Sequence, residues 1–264
     1  MRSFVLACAT GCACVLLLGP LEPCVLGQEA SLDAKVMPTS QREAVGNVLG
    51  KTVYRDEIQG DPPSYRDVAN RFFGDVIEAF HAEHHDQYAM TEKEIAAGAE
   101  WMQRKMDEQG GEAKQRWDAM RSTSKDSSHQ TIARLEAELA SDLLDPKMRH
   151  GLKEALRIAR IEQKIPNAQL IYQMFGKQKF EQYLFQQYGG GRIIHQQLGP
   201  EALDAHLQML LSLEKQGKFT ITDPKLRKLA LDYWERPNHP GGFHRDPGLL
   251  AYPWTEEYAK ATRN

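Results

Sequence analysis

The sequence predicts a mainly α-helical protein with a few short β-strands. Apolar residues recur at every third or fourth position through most of the chain, as they do on amphipathic helices. Two Ser/Thr-x-x-acidic capping patterns precede such stretches. Runs of β-prone residues are short and occur only around residues 45–54, 192–196 and 218–222. Together these observations favour a helical domain with a small β component.

Residues 1–27 have the pattern of a secretory signal peptide. Arg2 supplies a positive start, residues 4–18 are almost uninterrupted apolar or small residues, and a cleavage site is predicted before Gln28. An uncleaved anchor is the alternative, although the apolar run is short for a membrane span of about 20 residues. Lipidation at Cys12 is disfavoured by the apolar residues that follow it. We therefore expect an exported protein of the periplasm or cell envelope, membrane-attached only through an uncleaved or lipidated leader.

Composition narrows the function classes. The 4 cysteines all lie in the predicted leader, so the exported chain would have no disulfide, thiolate metal site or cysteine nucleophile. The net charge of −3 gives no basic excess, and nucleic acid is not an expected partner. The charged residues, 26% of the chain, are interspersed as on a solvated helical surface.

The first half of the chain begins with a flexible lead-in over residues 28–42. Two β-prone runs around Gly50 then predict a hairpin. Ser64 opens a capping box with Asp67, and apolar residues at every fourth position predict a helix to about residue 87. Thr91 opens a second capping box and a helix that ends at the glycines 110–111.

The middle of the chain predicts a short helix, a polar hinge over residues 122–128, and another helix that stops near Pro146. A helical pattern follows from Lys147 to about Tyr188. Pro166 must break or kink it, because proline lacks the amide proton and crowds the preceding turn.

The last part begins with a short strand at residues 192–196. We then predict a helix over residues 199–216, a strand over 218–222, and a helix from Asp223-Pro224 to about residue 234. The helical domain thus spans residues 43–235. The Pro/Gly-rich tail, residues 236–264, is predicted to lie extended.

No catalytic motif, cofactor site or metal site is predicted. His81, His84 and His85 form the one histidine cluster, and His81 and His85 share a helix face with metal-ligand spacing. Their surroundings match no zinc motif, so a polar last turn is favoured over metal binding. The glycines 189–191 follow a helix and precede a strand, which indicates a helix stop rather than a phosphate loop.

A more suggestive signal is the supply of aromatic and methionine side chains. These residues could extend past a core into an adaptable apolar surface that binds polypeptide, since methionine repacks around varied ligands. The alternative is that they are simply core. The candidate peptide-binding residues are Phe73, Ile77, Trp101, Met102 and Met106.

Two short motifs resemble the N-terminal chaperone-like domain of SurA- and PpiD-type exported foldases. Residues 48–58, VLGKTVYRDEI, are similar to the V-x-G-x-x-I-T-x-x-E-I signature at the start of that domain, with Tyr54 where the family has Thr or Ser. Residues 88–95, YAMTEKEI, correspond to its helix restart. The resemblance covers residues 43–240 in general order.

The resemblance implies a chaperone-like protein that binds unfolded or partly folded exported polypeptides without ATP. Parvulin-type isomerase domains often accompany this family, but the chain has no room or strand content for one. A divergent peptidyl-prolyl isomerase and a non-catalytic envelope assembly protein are the alternatives.

Overall fold

The computed structural model of the protein describes residues 42–141, 144, 146–196 and 199–261. The predicted leader and all but the last residue of the predicted lead-in lie outside the described residues. Within the described part, helices predominate and the strands are few and short. The predicted mainly α fold is therefore confirmed.

The hairpin predicted near the start is present as β1 (Ala44–Val48) and β2 (Lys51–Tyr54). Its turn consists of Leu49 and Gly50, with φ of 48° and 82°. Two successive positive φ values are what a type I′ turn requires, and its twist suits a two-stranded hairpin. The Gly50 amide also donates to Asn47 Oδ1 at 2.9 Å, which stabilises this turn.

Both capping boxes are formed. Helix α1 (Tyr65–Tyr88) begins after Ser64, whose backbone amide donates to Asp67 Oδ2 at 2.8 Å while its hydroxyl accepts from the Asp67 amide. Helix α2 (Glu92–Gln109) begins after Thr91 with the same exchange. Each box satisfies amides that a helix start leaves without intrahelical partners.

The hinge prediction over residues 122–128 is wrong as secondary structure, because α3 (Gly111–Leu139) runs through it without a break. Ser122 Oγ and Thr123 Oγ1 donate to the Ala119 carbonyl at 2.8 and 3.2 Å. Such bonds to the preceding turn let polar residues stay inside a helix.

The break at Pro166 is confirmed and separates α4 (Pro146–Glu162) from α5 (Ala168–Tyr188). The buried Glu162 carboxylate accepts the backbone amides of Asn167 and Gln169 at 2.9 and 2.6 Å. A carboxylate at this position accepts from amides that have no partner within the helix, and the positive end of the α5 dipole stabilises its charge.

The helix predicted from residue 199 starts later than expected. Residues Gly199–Ala202 form strand β4, which pairs antiparallel with β3 (Ile193–Gln196), and α6 spans Leu203–Lys215. The later helix start lets Ala202 lie in the core, where it is 1% exposed and its amide donates to Glu181 Oε2 at 2.9 Å.

The last predicted strand and helix are confirmed as β5 (Phe219–Ile221) and α7 (Pro224–Glu235). Strand β5 pairs with β1, so the sheet has the order β2-β1-β5. This pairing brings together residues 46–48 and 219–221, which are far apart along the chain.

The tail does not lie extended throughout. It adds a backbone bridge to β3 at His244, forms a 3-10 turn at Pro247–Leu250, and ends in the short helix α8 (Glu256–Ala261).

Buried side chains form two main clusters. The first joins the hairpin, α1, α6, β5, α7 and the second half of α5, and the second joins α2, α4, the first half of α5 and the tail. Helix α5 contributes to both, with Leu184 in the first and Ile171 in the second, each 0% exposed. The tail also contributes to both clusters, with Leu250 in the first and Tyr252 in the second.

Candidate functional site

The structure divides the five predicted peptide-binding residues between the two clusters. Phe73 is 1% exposed and packs edge-on against Phe219 at 5.0 Å between ring centroids, and Ile77 lies beside it in the first cluster. Trp101, Met102 and Met106 belong to the second cluster. The five therefore do not share one surface, and Phe73 is a core residue.

The second cluster contains a cleft between α2 and α5 that the tail fills. We call it the tail cleft and define it by Gly98 and Trp101 of α2 with Ile171 and Phe175 of α5. Trp254 of the tail packs edge-on against Phe175, with ring centroids 4.9 Å apart, and lies 6.1 Å from Trp101. A Cβ on Gly98 would come within 2.9 Å of the Trp254 ring, so glycine makes this close approach possible.

Side-chain amides of α5 also hold the tail in place by donating to its main-chain carbonyls. Gln178 and Gln182, one turn apart on α5, donate through Nε2 to the carbonyls of Ala251 and Leu250 at 2.5 and 2.7 Å. These bonds recognise backbone and not side chains. Carbonyl contacts and aromatic packing therefore together hold the end of the 3-10 turn and the irregular residues that follow it.

Tyr252 completes the contact. Its ring stacks on Trp254 at 4.5 Å, and the residue is 4% exposed. Its hydroxyl is buried and has no hydrogen-bond partner among the described residues. Burial raises the pKa of this hydroxyl, and the nearby Glu94 carboxylate adds to the effect.

Tyr252→Phe is expected to raise the free energy of unfolding by about 1 kcal/mol, because burying an unpaired hydroxyl costs about 1–3 kcal/mol. Urea unfolding measures the change. Tyr183→Phe is the matched control, since the half-buried Tyr183 hydroxyl donates to Gln87 Oε1 at 3.1 Å and its loss should destabilise the protein. A destabilised Tyr252→Phe variant would contradict this account of the cleft.

The histidine cluster is not assembled as a metal site. His84 Nδ1 contacts the Phe80 carbonyl at 3.1 Å, and His85 Nε2 lies 3.3 Å from the Tyr172 hydroxyl. His81 contacts the Tyr88 hydroxyl through Nδ1. No group of three or more potential ligands suited to a metal ion occurs within the described part of the chain.

His81 is instead a half-buried titratable group beside the first cluster. Its ring lies 4.2 Å from that of Phe180. Burial, together with the nearby His206 and His85, lowers the pKa of His81 to about 4, against the opposing effect of Glu181. A neutral imidazole is therefore favoured in the folded protein.

His81 should make the protein less stable as pH falls from about 6.5 to about 4. In that window the unfolded chain binds a proton at this residue and the folded chain does not. The full effect is about 3 kcal/mol, at 1.36 kcal/mol for each pKa unit. His81→Phe should flatten this part of a pH–stability curve from urea unfolding. His195→Phe, at an exposed position, should leave it unchanged, and equal curves for both variants would contradict the assignment.

A second surface lies along α4 and is open to solvent. We call it the α4 groove, a depression of about 440 Å³. Its two apolar lining residues, Leu156 and Ile161, are 9% and 6% exposed. Its lining is Glu92, Lys153, Leu156, Arg157, Arg160, Ile161 and Lys164.

The cations around the α4 groove differ in how firmly they are held. Arg157 forms two 2.7 Å bonds to the Glu154 carboxylate and a third, at 3.0 Å, to the Met90 carbonyl. Arg160 and Lys164 pair with Glu136 and Glu92 at 2.8 and 3.0 Å, and all four of these side chains are about half exposed or more.

The sequence reasoning missed the part of the site that the tail and α5 contribute. Helix α5, which carries Phe175, Gln178 and Gln182, has apolar or aromatic residues on nearly every face. The sequence therefore does not indicate which element these side chains contact. A signal did exist in the tail, where Tyr252 and Trp254 flank Pro253 at the end of the run Leu249-Leu250-Ala251. Large aromatic residues in such a segment usually have a packing partner.

Comparisons with family models, with curated proteins and with solved structures gave no match. Among the described residues, none of the helices has both the length and the apolar character needed to span a bilayer. The resemblance to SurA- and PpiD-type foldases stays a prediction.

Proposed function

We propose that the protein is an exported, chaperone-like protein that binds unfolded or extended polypeptide segments without ATP. The observation that carries this proposal is the tail cleft, which already holds an irregular segment of polypeptide. Export is supported by the signal-peptide pattern of residues 1–27.

The contacts in the tail cleft are of the kind that binding to varied sequences needs. The Gln178 and Gln182 side chains bind carbonyl oxygens that every residue offers. Trp101 and Phe175 offer large apolar faces, and Met106 packs on the same cluster with a side chain that adapts its shape. A segment that displaces the tail would meet the same groups.

Aggregation of an unfolding client protein tests the proposal. The purified full chain should delay light scattering from the client in the absence of nucleotide, at about equimolar concentration. A folded protein of similar size serves as the control. If the chain leaves the aggregation curve unchanged and binds no apolar peptide, the proposal is wrong.

The role of the tail cleft can be tested separately with a peptide of residues 247–254, PGLLAYPW. Trp254→Ala weakens the tail's hold, so this chain should bind the fluorescent peptide about tenfold more tightly than the wild type, since a competitor reduces the fraction of free sites. Phe243→Ala, a tail change outside the cleft, should bind like the wild type. Equal affinities in all three chains would show that clients do not use this cleft.

A further inference from the structure

We infer that the α4 groove is a second polypeptide-binding surface, selective for segments in which an apolar side chain is flanked by carboxylates. The inference rests on the proposed function and names a client class for it. It is independent of the tail cleft, because the two sites share no lining residue: of the apolar residues in the groove, Ile161 belongs to the second cluster and Leu156 to a separate small one with Leu135 and Ala159.

The groove has the volume and the apolar lining residues to take an apolar side chain of a bound segment. On α4, Lys153, Arg157 and Arg160 form one stripe at helical spacing. Leu156 and Ile161, five residues apart, lie on either side of this stripe and also line the depression. Both residues are largely buried, and both contribute to the lining of the depression. A volume of about 440 Å³ lies within the range of about 300–1,000 Å³ that small ligand sites occupy.

The charge around the groove selects what can flank that side chain. Four cations and a single carboxylate, Glu92, line the groove. Just outside, Glu154 and Glu136 partly offset the arginines, and Lys153 has no ion pair among the described residues. The excess positive charge disfavours a basic segment and attracts an acidic one.

The existing ion pairs can rearrange to admit a ligand. Arg160 and Lys164 are 60% and 66% exposed, and exposed ion pairs contribute little to stability. Exchanging Glu136 or Glu92 for an incoming carboxylate is therefore nearly neutral in energy.

Arg157 plays a different part. Its bonds to Glu154 and to the Met90 carbonyl fix the guanidinium, so it provides a preorganised wall of N–H donors whose charge Glu154 partly offsets. The approach of a ligand carboxylate to this wall requires little loss of side-chain freedom.

Binding of two short fluorescent peptides tests the inference. Both carry the same central pair of leucines, flanked by glutamates in one and by lysines in the other. The acidic peptide should bind about tenfold more tightly at low salt, the difference expected from one or two partly desolvated ion pairs. This preference should shrink at about 1 M salt, where the Debye length falls to about 3 Å. Equal affinities at low salt would overturn the inference.

Charge-reversal variants locate the site. Lys153→Glu/Arg160→Glu should weaken acidic-peptide binding about tenfold, and the neutral pair Lys153→Gln/Arg160→Gln should weaken it less. The control Lys225→Glu/Lys228→Glu makes the same change in net charge at exposed positions of α7 and should bind like the wild type. Equal loss in the control would assign the preference to net charge and overturn the groove assignment.

Two further outcomes separate this inference from others. Capture of the protein by vesicles containing anionic lipid, without binding of the acidic peptide, would overturn it in favour of a membrane surface. If aggregation is suppressed but the acidic and basic peptides bind equally, the proposed function stands and the groove inference fails. If no suppression occurs and no peptide binds, both fail.

Discussion

Glu181→Leu is expected to lower the free energy of unfolding by about 3–5 kcal/mol, as breaking a buried ion pair from one side does. Glu181 is 0% exposed, its Oε2 accepts the Ala202 amide at 2.9 Å, and both its oxygens lie 3.0 Å from His206 Nε2. Leucine would leave the Ala202 amide and the imidazole buried without their acceptor. Urea unfolding with circular dichroism measures the loss.

The matched control is Glu214→Leu. Glu214 also pairs with a cation, Arg227, at 2.8 Å, but that guanidinium is 40% exposed. Removal of the Glu214 carboxylate should therefore lower the free energy of unfolding by less than about 1 kcal/mol. Similar losses for the two leucine variants would mean that the buried network around Glu181 has no special role.

The same pair gives stability a pH dependence. Burial by itself would lower the pKa of His206, but the Glu181 carboxylate outweighs burial and the pKa is raised. A raised folded-state pKa adds stability that is fully present below the unfolded value of about 6.5 and is lost as pH rises through the folded value. Glu181→Gln should remove this loss above pH 6.5, a window separate from that of His81. If the stability of this variant still falls above pH 6.5 as in the wild type, the pairing of His206 with Glu181 is contradicted.

Gly46→Ala is expected to lower the free energy of unfolding by about 2–3 kcal/mol, the upper part of the range for overpacking a tight site. A Cβ at Gly46 would lie 2.2 Å from the Thr220 carbonyl oxygen and 2.7 Å from the Phe72 ring. The carbonyl belongs to β5, which pairs with β1 at this register. The added methyl group can be accommodated only if the two strands separate.

Gly74→Ala provides the control with the same chemical change. Gly74 lies inside α1, and a Cβ there would meet nothing within 4 Å. Alanine should therefore raise stability by about 0.5–1 kcal/mol through its better helix propensity. The two variants should shift the urea midpoint in opposite directions, and a neutral Gly46→Ala would show that β1 and β5 do not pack as closely as described.

The site was only partly predictable from the sequence. Trp101, Met102 and Met106 were candidates because large apolar residues on a helix must contact something, and they do lie together in the second cluster. Phe73 and Ile77 look the same in the sequence but pack in the first cluster. A helical stripe identifies which face is apolar, and does not identify which element covers it.

The sequence by itself determined the local features of this protein. The capping boxes at Ser64 and Thr91, the turn at Gly50 and the break at Pro166 each depend on a few neighbouring residues and their backbone preferences. Only the tertiary structure decided the pairing of β1 with β5, the strand at Gly199–Ala202, the unbroken α3 and the docking of the tail. Burial drives these long-range arrangements, and the free energy of burial depends on the surfaces that meet in space and not on the order of residues along the chain.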